Sequence, residues 1–411
     1  MTAPVELHLP APERIALGDL LARLGDAPPA MRPFAPEILS LFASLSAALL
    51  RDSRARRHPE LQALGFWLRP GAVERLRRQY LAAAGDAILA PRGLVFHIPP
   101  ANVDTIFVYS WALATLAGNR SIVRLPGRRS PQIDLLVGLL RDLLAARPDI
   151  AGGTVMLAYG HDDSVTAALS SRCDLRVIWG GDATVAHIRS LPLPPHATEM
   201  TFVDRFSLAA IAADALLDCD AAALERLAEA FFNDMFWFDQ MACSSPRLLV
   251  WVGERRRCAA AADRFAAALA ATVARKGYAV DAGTGVNKLA YLYRAVLDHP
   301  VSRLQRSGSA LAVLTAESLP DFREDVHGAG TLFQAAVPSL LGLVPFVRRK
   351  DQTLGQFGFD RDRLTELVLA LNGRGIDRIV PIGEALSFDH VWDGYDLLAQ
   401  FTRKITVRPS R

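Results

Sequence analysis

Cys243 stands in the run Asp239-Gln240-Met241-Ala242-Cys243-Ser244-Ser245-Pro246, a stretch of small residues between two apolar ones. The thiolate of such a residue can attack a carbonyl and hold the acyl group as a thioester. Before it comes the aromatic segment Phe231-Phe232-Asn233-Asp234-Met235-Phe236-Trp237-Phe238. After it, Leu248-Leu249-Val250-Trp251-Val252 reads as a buried strand. A small-residue turn between a buried helix and a strand can present a thiol to a substrate carbonyl. A lone cysteine is more commonly a buried small hydrophobe, so chemistry at Cys243 requires other residues to join it.

The chain supplies ample material for positioning such residues. It has 411 residues, 51% hydrophobic and 22% charged, with a formal net charge of +3. That length exceeds one simple core, so two or three domains are expected. No long basic run with interleaved aromatics is present, which argues against nucleic-acid binding. The four cysteines, Cys173, Cys219, Cys243 and Cys258, form no CxxC pair and no Cys/His metal spacing. Few cysteines in a long chain fit reduced thiols in a cytoplasmic setting. The start, Met1-Thr2-Ala3-Pro4-Val5-Glu6, lacks the pattern of a signal peptide. No stretch approaches about 18 uninterrupted apolar residues. A soluble, cytoplasmic protein without membrane insertion is expected.

Short apolar strands alternate with helical patterns over much of the chain. Strands are expected at residues 93–98, 121–125, 154–159 and 175–179, with helices at 104–117, 130–146, 163–170 and 183–189 between or after them. This alternation predicts a mostly parallel sheet with helices on both faces, which binds nucleotides at its strand carboxyl ends. A strand at 208–211 is read as closing that unit. A second α/β unit follows, with helices at 221–232, 259–276 and 361–371 and strands at 309–314, 341–347 and 378–380. The tail ends in a strand at 404–407. The expected division is residues 1–212 for the N-terminal region and dinucleotide-binding domain and 213–385 for the catalytic domain. Residues 386–411 form a tail returning to the first domain or to a partner subunit.

Three segments carry a family resemblance: Phe96-His97-Ile98-Pro99-Pro100-Ala101-Asn102-Val103-Asp104, Val177-Ile178-Trp179-Gly180-Gly181-Asp182-Ala183-Thr184-Val185, and the Cys243 run. Their order is similar to that of the aldehyde dehydrogenase superfamily. There a strand ends in a Pro-x-Asn turn, a later strand ends in a Gly-containing turn before a helix, and the nucleophilic Cys follows both. The Asp-Gln-x-Ala-Cys-Ser-Ser-Pro run resembles the LuxC-type fatty acyl-CoA reductase family within it. So do Arg378-Ile379-Val380-Pro381-Ile382-Gly383-Glu384-Ala385-Leu386 and Val391-Trp392-Asp393-Gly394-Tyr395-Asp396. The resemblance covers roughly residue 90 to the end. It implies an aldehyde dehydrogenase-like α/β fold, two Rossmann-like domains with a short C-terminal oligomerisation strand.

The resemblance also implies roles. Cys243 would attack a thioester carbonyl and expel the carrier thiol, and the Asn102 amide would serve the resulting oxyanion, which needs preorganised donors. Gly180 and Gly181 would let backbone approach a nicotinamide dinucleotide, with Thr184 near the diphosphate. Arg124, Arg128 and Arg129 match a loop that approaches the adenosine ribose. Arginine forks suit a 2′-phosphate, which favours NADPH, with NADH open; a solvated basic loop is the plainer alternative. One departure is informative. Hydrolytic members carry a water-activating Glu in Glu-Leu-Gly-Gly, whereas this region reads Glu199-Met200-Thr201-Phe202-Val203-Asp204-Arg205-Phe206-Ser207, with Phe202 near the usual Glu position. A register slip of a few residues would put Glu199 in that place; the plainer reading of Glu199 is a surface strand-end carboxylate. His97 is read as a satisfied core histidine, and no residue is read as a metal ligand.

The expected activity is NADPH-dependent reduction of an acyl thioester, acyl-CoA or carrier-bound acyl, to an aldehyde through an acyl-cysteine. The alternatives are an aldehyde dehydrogenase forming an acid or acyl-CoA, and a non-redox acyltransferase subunit. A homo-oligomer is expected from the superfamily analogy.

Overall fold

Buried runs of five to seven residues, too short for helices and rich in branched side chains, become the centres of two sheets. The computed structural model describes residues 4–127 and 129–408. They form two units, Asp204–Ser387 and the flanking segments that precede Asp204 and follow Ser387.

The first unit begins with β1 (Val5–Leu9), β2 (Glu13–Ile15) and four helices, α1 (Leu17–Gly25), α2 (Pro36–Arg51), α3 (Pro59–Trp67) and α4 (Pro70–Ala84). Then come β3 (Ile88–Pro91), β4 (Leu94–Ile98), α5 (Ile106–Leu116), β5 (Arg120–Arg124), α6 (Pro131–Ala145), α7 (Pro148–Ala151), β6 (Thr154–Ala158), α8 (Asp163–Ser170), β7 (Leu175–Trp179), α9 (Asp182–Ser190) and β8 (Thr198–Phe202). The sheet order is β2-β1-β6-β5-β4-β7-β8. The last five are mutually parallel, while β1 runs antiparallel to β6. Every residue of α5 is buried, as expected of a helix apolar all round and covered on all sides.

The second unit contains β9 (Phe206–Ala212), α10 (Ala213–Asp218), α11 (Ala221–Phe236), β10 (Pro246–Val252), α12 (Arg255–Lys276), α13 (Ala282–Asp298), β11 (Val301–Ser307), β12 (Leu311–Ala316), β13 (Thr331–Val337), β14 (Asp351–Phe357), α14 (Arg361–Leu371) and β15 (Arg378–Pro381). Its sheet order is β11-β12-β13-β10-β9-β14-β15, parallel apart from the edge pair β11 and β12. Carboxylates cap its helices: Asp220, Glu254, Asp281 and Asp360 accept from the first-turn N–H groups of α11, α12, α13 and α14.

After Ser387 the chain rejoins the first unit through β16 (Val391–Trp392), β17 (Tyr395–Asp396), α15 (Leu397–Gln400) and β18 (Thr402–Ile405). β18 pairs antiparallel with β3. The strand expected to serve oligomerisation therefore has one edge satisfied within its own unit.

Three sequence expectations are corrected. The strand at 208–211 does not close the first sheet; β9 lies inside the second, between β10 and β14. A fully buried run carries no sign of the sheet it joins, so the division falls at Asp204 and not after residue 212. The strand expected at 341–347 is a short 3-10 turn, Leu340–Leu343, followed by turns. Pro338, Gly342 and Pro345 break any ladder there. The strands of that region are β13 and β14, on either side of it. The helix α13 and edge strand β11 had no counterpart in the sequence reading.

Candidate active site

The parallel series of the first unit starts at β4, moves outward to β5 and β6, and returns to β7 and β8 on the other side of β4. The gap beyond the carboxyl ends of β4 and β7 is the switch point where such sheets bind nucleotides. Asn102 is exposed in the loop that leaves β4. Gly180 and Gly181 leave β7, with the Gly180 N–H donating to Phe202 O at 3.0 Å. Gly181 caps α9 with an ordinary φ of −67° and no side-chain acceptor. A Cβ added there would meet nothing within 4 Å. Neither strain nor internal crowding calls for glycine at 181. The bare surface before uncapped N–H groups suits a diphosphate, although Asp182 on the same turn works against an anion. Thr184 is exposed on the first turn of α9.

The basic loop is partly committed to the protein. Arg124 lies over the Tyr159 ring at 4.5 Å, and its Nη2 donates to Gly160 O at 3.1 Å. Arg129 is paired with Asp134 and stands beside His8. Arg128 lies outside the described residues.

Phe202, at the end of β8, stacks on Trp179 with ring centroids 3.7 Å apart and meets the Tyr395 ring at 5.7 Å. An aromatic ring here has no atom able to take a proton from water. Glu199 cannot replace it, because it is the partner of fully buried Arg176 and also accepts from Arg189. His97 is wholly buried; its Nδ1 lies 2.8 Å from Ser110 Oγ and its Nε2 3.3 Å from Ser121 Oγ. Burial pushes this imidazole down to about 3, so it is a neutral core group.

In the second unit, Cys243 precedes β10 and lies at the amino-terminal side of the sheet. Its sulfur is 3.5 Å from Nε2 of Gln352, the second residue of β14. Its carbonyl accepts from Oγ of Ser207, the second residue of β9, at 2.7 Å. Ser207 Oγ also accepts from Thr353 N at 3.3 Å. Three neighbouring parallel strands thus contribute at the same end. Sequence reasoning missed Ser207 and Gln352, since only the sheet register makes them level with Cys243.

The turn carrying the thiol is strained and firmly held. Phe238, Asp239 and Gln240 are three successive non-glycine residues with positive φ, 55°, 52° and 64°. Such residues cost of order 1–3 kcal/mol each and persist only when their surroundings over-determine them. Gln240 supplies much of that constraint. Its Nε2 donates to Pro246 O and Thr331 O, both at 2.9 Å, and its Oε1 accepts from Thr331 N at 3.0 Å. Ala329 N donates to Asp239 O at 2.9 Å. The 329–330 segment is pinned by buried Lys288, whose Nζ donates to the carbonyls of Ser309, Ala310, Ala329 and Gly330. Gly330 has φ +76° and packs so closely that a Cβ would lie 2.0 Å from Ala310 O.

The C-terminal motif runs have structural tasks. Arg378 folds the loop after β15 by donating to the carbonyls of Ala385, Glu384 and Ser387. Asp234 receives the N–H groups of Gly383 and Ala385 at 2.6 and 3.0 Å. Burial pushes the Asp234 carboxyl up to about 7 against the pull of those donors. Between about 4 and about 7 the folded chain therefore holds a proton that the unfolded chain has released. The sign follows: stability present at the acidic end is lost as pH rises towards 7. Thermal unfolding across this range should show that slope in the wild type, and Asp234→Asn should flatten it. The Val391–Asp396 run is a hairpin whose Asp393 and Gly394 both have positive φ, the type I′ preference of Asp-Gly.

Two Rossmann-like units, one with a glycine turn at its switch point and one with a seated thiol, define an α/β enzyme with the aldehyde dehydrogenase fold. Solved structures agree. Aldehyde dehydrogenase 21 from Physcomitrella patens is similar at TM-score 0.67 and 12% identity, covering 98% of this chain and 93% of that one. A NAD-dependent benzaldehyde dehydrogenase from Corynebacterium glutamicum is similar at TM-score 0.65 and 13% identity, covering 95% and 90%. A salicylaldehyde dehydrogenase from Pseudomonas putida G7 is similar at TM-score 0.66 and 13% identity, covering 97% and 91%. No curated protein gives a significant match. The family model for acyl-CoA reductase (LuxC) matches residues 71–404, and the chain belongs to that family. It is an oxidoreductase acting on acyl substrates with a nicotinamide cofactor. No helix among the described residues is long and apolar enough to cross a membrane.

Proposed function

We propose that the chain reduces an acyl thioester, acyl-CoA or carrier-bound acyl, to an aldehyde, with NADPH as donor and Cys243 as nucleophile. The observation that carries this reading is the seat of the Cys243 sulfur, half-buried on a clamped turn beside the Gln352 amide. The thiolate adds to the thioester carbonyl; a new C–S bond forms, the bond to the carrier breaks, and the carrier leaves as its thiolate, which takes a proton from water. The oxyanion of that step is assigned to the Asn102 amide by its motif. When bound, the nicotinamide supplies the hydride that takes the acyl group to the aldehyde level. Phe202 offers no base for water, so the acyl group is kept from hydrolysis until then. Gly180, Gly181 and Thr184 are assigned to the diphosphate, and Arg124, Arg128 and Arg129 to the 2′-phosphate. Homo-oligomer formation belongs to the same reading.

The test is mass spectrometry of the intact protein after incubation with a panel of acyl-CoAs and no nicotinamide. An acyl increment on the peptide containing Cys243 is expected. An increment confined to another peptide, or none with any donor, refutes the acyl-cysteine.

A further inference from the structure

Arg247 is the second residue of β10, four positions after Cys243, and only 6% of it is exposed. The other deeply buried arginines are fully engaged. Arg176 binds Glu199, Ser170 Oγ and Leu191 O, and Arg323 binds Asp351, Asp321 and Phe346 O. Arg247 differs: among the described residues its buried Nη1 has no hydrogen-bond partner. Ser245 Oγ and Thr331 Oγ1 are likewise buried without partners. Thr331 is the residue that grips Gln240. Unpaired polar atoms thus gather on and around one turn, a pattern that calls for a specific explanation. The β9–β10 register also shifts between Pro246 and Leu248, and bulges of this kind re-aim a side chain next to active sites.

A buried guanidinium stays protonated and needs a negative partner. The groups whose charge reaches Arg247 are Asp204, before β9, Tyr291, on α13, and Cys243, on the turn. Asp204 is ion-paired with Lys350 at 2.8 Å. Tyr291 donates its hydroxyl to Asp325 O at 2.8 Å, and burial drives its pKa upward, so it is neutral. From β14, Asp351 is saturated by Arg323, and the Gln352 amide facing the sulfur carries no charge. Asp239, on the turn itself, receives the Tyr278 hydroxyl at 3.0 Å. Among the described groups that reach Arg247, Asp204 pulls most strongly but is shared with Lys350, and Cys243 is the ionisable group on the turn itself.

We propose that Arg247 is a positioning residue that holds Cys243 as the thiolate before substrate arrives. It acts through charge and forms no bond with the acyl group. The inference rests on Cys243 being the nucleophile, and its test needs no acyl donor, so the two can fail separately.

The test is the pH profile of Cys243 alkylation by iodoacetamide, read by peptide mass, in wild type, Arg247→Lys and Arg247→Gln. The wild-type midpoint should lie below the free-cysteine value of about 8.5. In Arg247→Gln it should rise by at least about one pH unit, with roughly tenfold slower alkylation at neutral pH, since only the thiolate reacts. Arg247→Lys should restore most of the shift, which a purely structural role would not require. Equal midpoints in folded wild type and Arg247→Gln overturn the proposal. Should Arg247→Gln not fold, thiolate absorbance of wild type minus Cys243→Ser decides, and a midpoint at or above about 8.5 overturns it.

Discussion

Cys243→Ala is expected to lose turnover with acyl-CoA by on the order of 10⁴-fold or more, as removal of a covalent nucleophile does. Acyl labelling of the 239–246 peptide should vanish with it. The fold should survive, because the turn is held by other atoms. Gln240 closes it through Pro246 and Thr331, and Ser207 binds the Cys243 carbonyl, which alanine retains. The lost sulfur lies 3.5 Å from the Gln352 amide, which stays held in β14. Truncating a half-buried thiol costs about 1 kcal/mol, no more than one buried methylene. Turnover, labelling and thermal unfolding measured on one preparation check this. A variant keeping activity within tenfold of wild type would exclude a covalent role for this thiol.

The largest stability loss is expected at Asp351→Asn. Asp351 is fully buried at the start of β14. It accepts from Arg323 Nε and Nη2, both at 2.6 Å, and from Arg348 N at 3.0 Å. Arg323 lies over the Phe346 ring at 4.1 Å and cannot turn to solvent without abandoning that contact. Neutralising one member of a buried pair costs about 3–5 kcal/mol, and the lower end is expected here because Arg323 keeps Asp321 on Nη1 at 2.7 Å. For a unit of this size that corresponds to a fall of roughly 10 °C in the unfolding midpoint. Joint replacement of Arg323 and Asp351 by apolar residues of similar volume should recover much of the loss, because no charge is left stranded. Gln352 follows Asp351 directly, so Asp351→Asn should also slow iodoacetamide alkylation of Cys243. Unfolding within 2 °C of wild type would show that this ion pair is not needed.

Between residues 93 and 190 the sequence was nearly sufficient for local structure, whereas β1, β2 and β8 of the same sheet had no counterpart in it. Helix α8 and strand β7 fall on the expected residues, and β4, β5 and α6 within one or two. Buried branched runs, proline stops and the Ser130 cap are short-range signals that survive folding unchanged. The second unit was less legible. Helix α13 carries exposed Val286, Tyr293 and Leu297, which blur its amphipathic pattern. β13 was overlooked, and the apolar stretch after it was mistaken for a strand although its prolines and glycine forbid one.

Residue types alone determined that a thiol lies on a small-residue turn, that glycines follow the fourth strand of a parallel series, and that the Glu199–Ser207 stretch holds no Glu-x-Gly-Gly run. Tertiary structure decided which residues serve that thiol. Ser207, Gln352, Thr331 and Arg247 are scattered over some 150 positions, and each is the first or second residue of a parallel strand. Parallel strands are joined by crossovers whose length carries no register. Their amino ends become level only when the sheet assembles, and assembly alone brings a buried guanidinium on β10 and a neutral amide on β14 to the end of the sheet that carries one sulfur.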